Sequence, residues 1–301
     1  MKRYFYILLL LSFIFLFIFL VKTEFIIPDL PEPGWIIPSM VMLFLGFYTS
    51  TQSWIIALHS HGIRISHGKA IASHGLSIFA KYIPGKIWVI LGRAGYIAEN
   101  KEEVKLNTFV SLKEQMIYTW VGFLISSIPT AIFYRGHWLT YGLILLVIFL
   151  SFFLFVRRIH EFAVGILKKW FHLKIDLPFI NLRKSVPVIL STAAIWAAWT
   201  ISFYLFLQAF GTELSPLCAF AFPLSVSFGL IAVFVPGGLG VREGIIVGYL
   251  VLAGMEPGLA TSIAFFNRFA FIAGEVFIFL LGLAARKKVN NSERGISNIE
   301  Y

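Results

Sequence analysis

Long apolar runs alternate with short polar ones along this chain, and the lengths of the runs carry the first inference. Residues 4–21, 35–58, 115–134, 138–156, 186–210 and 259–284 are each nearly free of charged side chains. At 1.5 Å per residue, roughly 20 apolar residues in a helix cross about 30 Å of hydrocarbon. The pattern therefore predicts six membrane-spanning helices. Lys2 and Arg3 ahead of the first run resemble the start of a secretory leader, but Lys22-Thr23-Glu24-Phe25 follows where a cleavage site needs small residues. A retained first helix is expected. Spans 115–134 and 138–156 are separated only by Arg135, Gly136 and His137, a tight turn that makes them a helical hairpin.

Two other apolar segments, 70–98 and 216–254, are broken near their middles by Ile83-Pro84-Gly85-Lys86 and by Val235-Pro236-Gly237-Gly238-Leu239-Gly240. Proline removes a backbone donor and glycine favours non-helical backbone, so each segment reads as two half-helices too short to span. Each is predicted to be a re-entrant hairpin, entering and leaving by the same face. The N-terminus, the loops at 59–69 and 99–107, the linker at 157–185 and a polar tail at 286–301 then share one side. That side collects most of the 25 Lys and Arg residues, Lys81 included, while the opposite side holds only Lys22 and Arg135. The basic side is expected to be cytoplasmic, in a plasma membrane, with both termini on it. Within a single transmembrane domain over 1–285, halves 1–134 and 138–285 each run span, span, hairpin, span, with every direction reversed. Such an inverted repeat typifies transporters. In the linker, basic residues interleave with Trp170, Phe171 and Leu173, as in a helix lying on an anionic membrane surface.

Composition agrees and excludes the soluble alternatives. With 58% hydrophobic, 17% aromatic and 13% charged residues, the chain lacks the polar surface to coat a soluble globule. The fold class is an all-α polytopic membrane protein, with no room for an additional soluble catalytic domain. The formal charge of +10 does not indicate nucleic acid, because the basic residues sort by membrane side. Cys218, the single cysteine, offers neither a disulfide nor a thiolate cluster. His59, His61, His67 and His74 lie in or beside one loop but lack acidic or cysteine companions at ligand spacing, so no metal and no cofactor is expected. The glycine-rich run 237–244 lacks the spacing of a dinucleotide or phosphate loop.

Lys86, Arg93, Lys113, Glu114, Arg242, Glu243, Arg268 and Glu275 fall inside membrane segments. Each charge costs a few kcal/mol or more in hydrocarbon, so these residues face a polar cavity or one another. Internal salt bridges that fix helix packing are the plain alternative. The second hairpin is the sharper case. Pro236, Gly237, Gly238 and Gly240 free the backbone, and a half-helix starting near Val241 directs unpaired amides into the membrane with Arg242 and Glu243 on its first turn. Amides plus a guanidinium can hold a phosphate or carboxylate. Lys86 and Arg93 are seven apart and share a helix face. Lys86, Arg93, Arg242 and Arg268 are thus the predicted headgroup-binding residues. Pro84, Gly85, Pro236, Gly237, Gly238 and Gly240 are the breaks at which the hairpins gate, and Glu114 and Glu243 are the candidates for ion pairing or proton coupling.

Lys81-Tyr82-Ile83-Pro84-Gly85-Lys86-Ile87-Trp88, continuing to Gly92-Arg93, together with Pro236-Gly237-Gly238-Leu239-Gly240-Val241-Arg242-Glu243-Gly244, resembles the lysylphosphatidylglycerol synthase transmembrane-region family of flippase-like proteins. The likeness extends over about residues 5–285. It implies movement of an anionic phospholipid or a polyprenyl-phosphate sugar between leaflets, beside separate envelope-lipid or glycosyltransferase enzymes. Longer family members add a cytoplasmic aminoacyl-transferase domain. Here only a short polar tail follows Ala285, so the synthase activity, and enzyme activity in general, is not expected. Two other readings stand beside transport. One is an intramembrane glycosyltransferase using a carboxylate of Glu24, Asp29 or Glu32 in the acidic loop. The other is a non-transporting scaffold of an envelope-synthesis complex. The oligomeric state is open.

Overall fold

The computed structural model describes residues 31–83, 87–171, 179–233 and 235–297, with 167–171 and 292–297 through their backbone only. The predicted first span, Glu24, Asp29, and the break residues Pro84, Gly85 and Lys86 lie outside the described residues. Numbering from the first described helix, the elements are α1 (Pro33–His59), α2 (His67–Ser77), a 3-10 turn (Ile78–Tyr82), α3 (Ile87–Ile97), α4 (Lys101–Phe133) and α5 (Trp138–Phe155). They continue with α6 (Arg157–Phe171), α7 (Leu182–Ala209), a 3-10 turn (Pro216–Phe220), α8 (Ala221–Ile231), a short turn (Pro236–Gly238), α9 (Val241–Leu252) and α10 (Pro257–Ser297). The protein is an all-α polytopic membrane protein. Five described helices are long and apolar enough to cross a bilayer: α1, α4, α5, α7 and the first 35 residues of α10. The sixth predicted span is the one at 4–21.

Local chemistry sets the helix starts. Proline begins α1, where its missing donor costs nothing. Ser66 caps α2 through Lys69 N, and Asn181 caps α7 through Lys184 N. Asn100 caps α4 by accepting from Glu103 N, while Glu103 returns a carboxylate oxygen to Glu99 N at 2.8 Å. That cap moves the start of α4 well ahead of the predicted 115. Residues 101–107, expected in a loop, are polar first turns projecting beyond the apolar layer. Likewise α10 continues through the residues expected as a polar tail, since Arg286, Lys287 and Lys288 are good helix formers and nothing breaks the backbone.

The packing follows one rule twice. Helices α1 and α7 lie antiparallel, with reciprocal bonds: Ser39 Oγ donates to Ser202 O and Ser202 Oγ to Ser39 O, each at 2.8 Å. Trp199 Nε1 donates to Leu43 O at 3.1 Å and Ser191 Oγ to Ser53 Oγ at 3.1 Å along the same seam. The first arm of one hairpin, α2, packs antiparallel on α10, so closely that Gly75 touches Gly282 and a side chain at either has no space. The first arm of the other, α8, packs antiparallel on α4, where Ser126 Oγ donates to Phe220 O at 3.4 Å. Small residues permit these approaches, as is usual where lipid supplies no hydrophobic drive between helices.

The two hairpins open on opposite faces. Residues 63–66 before α2, Ile97 at the end of α3 and Asn107 near the start of α4 line one cleft of about 480 Å³, so α2 enters and α3 leaves on that face. On the other face Tyr134, after α4, donates to Tyr249 O near the end of α9, and Thr130 Oγ1 donates to Tyr249 Oη at 3.4 Å. Described linker residues form α6, which leaves Ile159, Phe162 and Ile166 exposed on one side while Arg157 lies over the Phe179 ring.

Candidate functional site

The second break is shaped by three left-handed glycines, Gly237, Gly238 and Gly240, with φ of 61°, 70° and 80°. Conformations of this kind are strained for any residue with a Cβ. Helix α9 begins immediately after, and Glu243 Oε2 accepts from Gly240 N at 2.7 Å. Arg242 is turned inward, 6% exposed, with its stem against Gly229 and Gly238. Its guanidinium carbon lies 4.3 Å from the Phe271 ring centre and 5.7 Å from that of Phe222. Among the described residues, Arg242 Nε has no hydrogen-bond partner. Cation–π contacts return up to about 2 kcal/mol, less than the several kcal/mol that a charge costs away from water. The arrangement is short of an anion.

Helix α10 presents Arg268 and Glu275 two turns apart on one face. Arg268 Nη2 donates to Gly237 O at 3.2 Å and reaches Tyr82 Oη at 3.4 Å, and its Nη1 lies 3.7 Å from Glu243 Oε1. Glu275, completely buried, holds Lys81 Nζ at 2.6 Å and accepts from Tyr82 Oη at 2.8 Å. Lys81 and Tyr82 end the 3-10 turn just before the first break, and the Tyr82 ring packs on Gly237 where a Cβ would collide with it. The turn that precedes the first break and the second break therefore meet, joined by residues of α10. Arg268 stands about 16 Å along its helix from Pro257, and Glu275 about 16 Å from Arg286, so both sit at depth.

The match to a family model of the lysylphosphatidylglycerol synthase transmembrane region extends over residues 4–282 and takes in both breaks and every member of this cluster. The chain belongs to that family. No curated protein sequence matches it. In this member of the lysylphosphatidylglycerol synthase transmembrane-region family, Arg242, Glu243 and Arg268 come together, with Glu243 between Gly240 N and Arg268. Arg93 does not join them. Its Nη1 pairs with Glu114 Oε2 at 2.6 Å, its Nε donates to Ser111 Oγ at 2.5 Å, its Nη2 donates to Ser111 O at 2.9 Å, and it lies over the Trp54 ring. All three guanidinium nitrogens are engaged between α3 and α4, so Arg93 and Glu114 form a packing pair, the plain alternative for such charges. Lys113 meets His61 at the basic face, with Nζ 3.3 Å from His61 Nε2. His74 bonds Ser50 instead of converging with His61, Nε2 to Oγ at 2.9 Å.

Sequence reasoning missed Lys81, Tyr82 and the partner role of Glu275. Lys81 counts as a cytoplasmic lysine when charges are sorted by loop, yet the turn before the break carries it inward to Glu275. The signal was present in the spacing: Lys81 directly precedes a break, and Glu275 lies seven after Arg268.

Proposed function

We propose that this protein moves a lipid with an anionic headgroup across the plasma membrane, gripping the phosphate with Arg242 and Arg268 where the two hairpins meet. The observation that carries the reading is Arg242, a buried guanidinium that faces aromatic rings and, among the described residues, has no carboxylate in ion-pair contact. Ile83 beside the first break and Ile231 and Val233 beside the second are exposed, which suits acyl chains that remain in lipid while the headgroup enters. Symmetric packing of each hairpin on the last span of the opposite half supports two halves of inverted topology, and with it alternating exposure of one site. Lys81–Glu275, Tyr82–Glu275 and Arg268–Gly237 are the contacts that part when the hairpins separate. Lys86, which follows Pro84 and Gly85 in the sequence, is a further phosphate ligand in this reading. The protein acts as a transporter beside separate envelope-lipid enzymes, with no chemistry of its own.

The test is leaflet exchange in proteoliposomes of fluorescent phosphatidylglycerol, other phospholipids and a polyprenyl-phosphate sugar. Exchange is expected for the native protein and lost in Arg242→Gln and Lys86→Gln, with insertion and thermal stability retained. Exchange that survives Arg242→Gln overturns the reading, and no exchange of any lipid by folded native protein returns weight to a scaffold. Asp29→Asn is expected to be silent, whereas an intramembrane glycosyltransferase depending on that carboxylate would lose activity.

A further inference from the structure

Helix α5 has 18 residues. At the helical rise these cover about 27 Å, so a chain leaving the turn at 134–137 reaches the far edge of the hydrocarbon, on the basic face, near Phe155. Val156 is extended there, with φ −105° and ψ 105°, and interrupts the helix before α6. The base of α6 is held firmly. His160 Nδ1 lies 3.1 Å from Phe153 O, Ile180 N donates to Leu154 O at 3.3 Å, and the Phe179 ring packs on both Arg157 and His160. His160 is buried and Ala163 and Val164 are half-buried, three and four residues on, so these three share the covered face. The rest of the helix is uncovered and divided in two. Ile159, Phe162 and Ile166 form an exposed apolar stripe, with Phe162 71% exposed. Beside the stripe run Arg157, Arg158, Glu161 and Gly165, all exposed. Positions 168 and 169, both lysine, follow Arg157 and Arg158 by eleven residues, three helical turns, and so continue the polar strip.

We propose that α6 is a docking surface for the anionic lipids of the leaflet at the basic face, with the apolar stripe among the upper acyl chains and the basic strip on the headgroup phosphates. Two observations favour lipid over a protein partner. The first is continuity: Phe149, Phe152 and Val156 are exposed along the end of α5 and lead directly to Ile159, so the stripe extends a surface that already meets hydrocarbon. The second is charge, since four of the five charged residues of α6 are basic, Arg157, Arg158, Lys168 and Lys169 against Glu161. A helix with this division lies in the plane of the interface. Basic side chains at that depth draw anionic headgroups and are screened by salt. The surface shares no residue with the cluster of Lys81, Arg242, Arg268 and Glu275, so it recruits lipid independently of the proposed headgroup site.

The experiment places a fluorescent probe on Ile159→Cys in the full chain, in a Cys218→Ser background, and reconstitutes the protein in mixed vesicles of phosphatidylglycerol and phosphatidylcholine. Overall composition is held constant, and either the anionic or the zwitterionic lipid carries a nitroxide on its upper acyl chain. Labelled phosphatidylglycerol is expected to quench the probe at least about twice as strongly as labelled phosphatidylcholine. A probe on Leu145→Cys, exposed on α5 away from the basic strip, is expected to show no preference. The combined Arg157→Gln, Arg158→Gln, Lys168→Gln and Lys169→Gln variant is expected to lose the preference at Ile159 while both lipids still quench. High salt should weaken it in the otherwise native chain, which tests the same charges without a change of sequence. Equal quenching by the two lipids at Ile159, an equal preference at Leu145, or a preference that survives both neutralisation and salt overturns the proposal. Quenching by neither lipid also overturns it, because the stripe would then be covered by protein or face water.

Discussion

Arg93 and Arg242 show how little an isolated buried arginine reveals about its role. Both sit in broken hairpins, and both were expected at the headgroup. Arg93 has its guanidinium fully enclosed by Glu114, Ser111 and Trp54, whereas Arg242 Nε has no partner among the described residues. Removing one member of a buried ion pair costs about 3–5 kcal/mol because the other is left charged and alone. Glu114→Gln is therefore expected to lower the unfolding midpoint sharply in detergent, and replacing both Arg93 and Glu114 with methionine to cost less than the single change. A lower midpoint in the double variant than in the single one would contradict the packing assignment. His61 gives a pH dependence at the basic face. Its Nδ1 donates to Ala57 O at 2.8 Å and Nε2 faces Lys113 Nζ, which fixes the neutral tautomer. Burial lowers its pKa, the Ala57 bond opposes that, and Lys113 and Lys184 add to the lowering. A base with a depressed folded pKa binds its proton more readily when unfolded, so stability is full above about pH 6.5 and falls as the pH drops below it. His61→Gln is expected to flatten that fall in thermal melts between pH 7.5 and 5.5; an unchanged profile assigns the acid sensitivity elsewhere.

At the scale of elements, the breaks were legible because proline and glycine act through the backbone itself, independent of what surrounds them. Pro236 and the glycines at 237, 238 and 240 announced a non-helical segment between two apolar half-helices, and α8 and α9 flank it. Gly237 also has to admit Tyr82. Gly237→Ala adds a Cβ in a left-handed conformation and against that ring, so it is expected to destabilise by roughly 1–3 kcal/mol and to abolish lipid exchange. Native exchange by Gly237→Ala protein would show that Tyr82 need not pack on Gly237. Gly282→Leu tests the α2–α10 crossing, where Gly75 and Gly282 touch. Its expected result is poor yield of folded protein or a much lower melting midpoint in detergent, since overpacking at a backbone contact cannot be relieved by a rotamer change. Less legible were the ends of α4 and α10. Hydropathy marks where a helix meets lipid and is blind to polar turns that continue into water, so the capped start at Asn100 and the run of α10 through Ser297 were read as loop and tail.

For the whole molecule, the contacts put residues 60–66, 98–100 and the basic end of α10 on one face, and residues 134–137, 210–215 and 253–256 on the other. In a Cys218→Ser background, cysteines placed at Arg64 and Arg286 are expected to react with an impermeant maleimide from the same side, and cysteines at Arg135 and Glu213 from the opposite side. All four positions are exposed and Cys218 is buried, so the labelling reports topology alone. Reaction of Arg64→Cys and Arg135→Cys from one side would break the re-entrant arrangement of the first hairpin. The sequence by itself determined the solvent, the approximate spans, the two interruptions and most of the charges inside the membrane, because each of these depends on composition and local backbone chemistry over a few turns. Only the tertiary structure decided which charges meet. Lys81 and Glu275 are far apart in the chain, as are Tyr82 and Gly237, and their contacts depend on the packing of α2 against α10 and of α8 against α4. Pairing in low dielectric is a property of distance in space, so the division between Arg93, enclosed by its partners, and Arg242, left with charge to spare, appears only once the helices are packed.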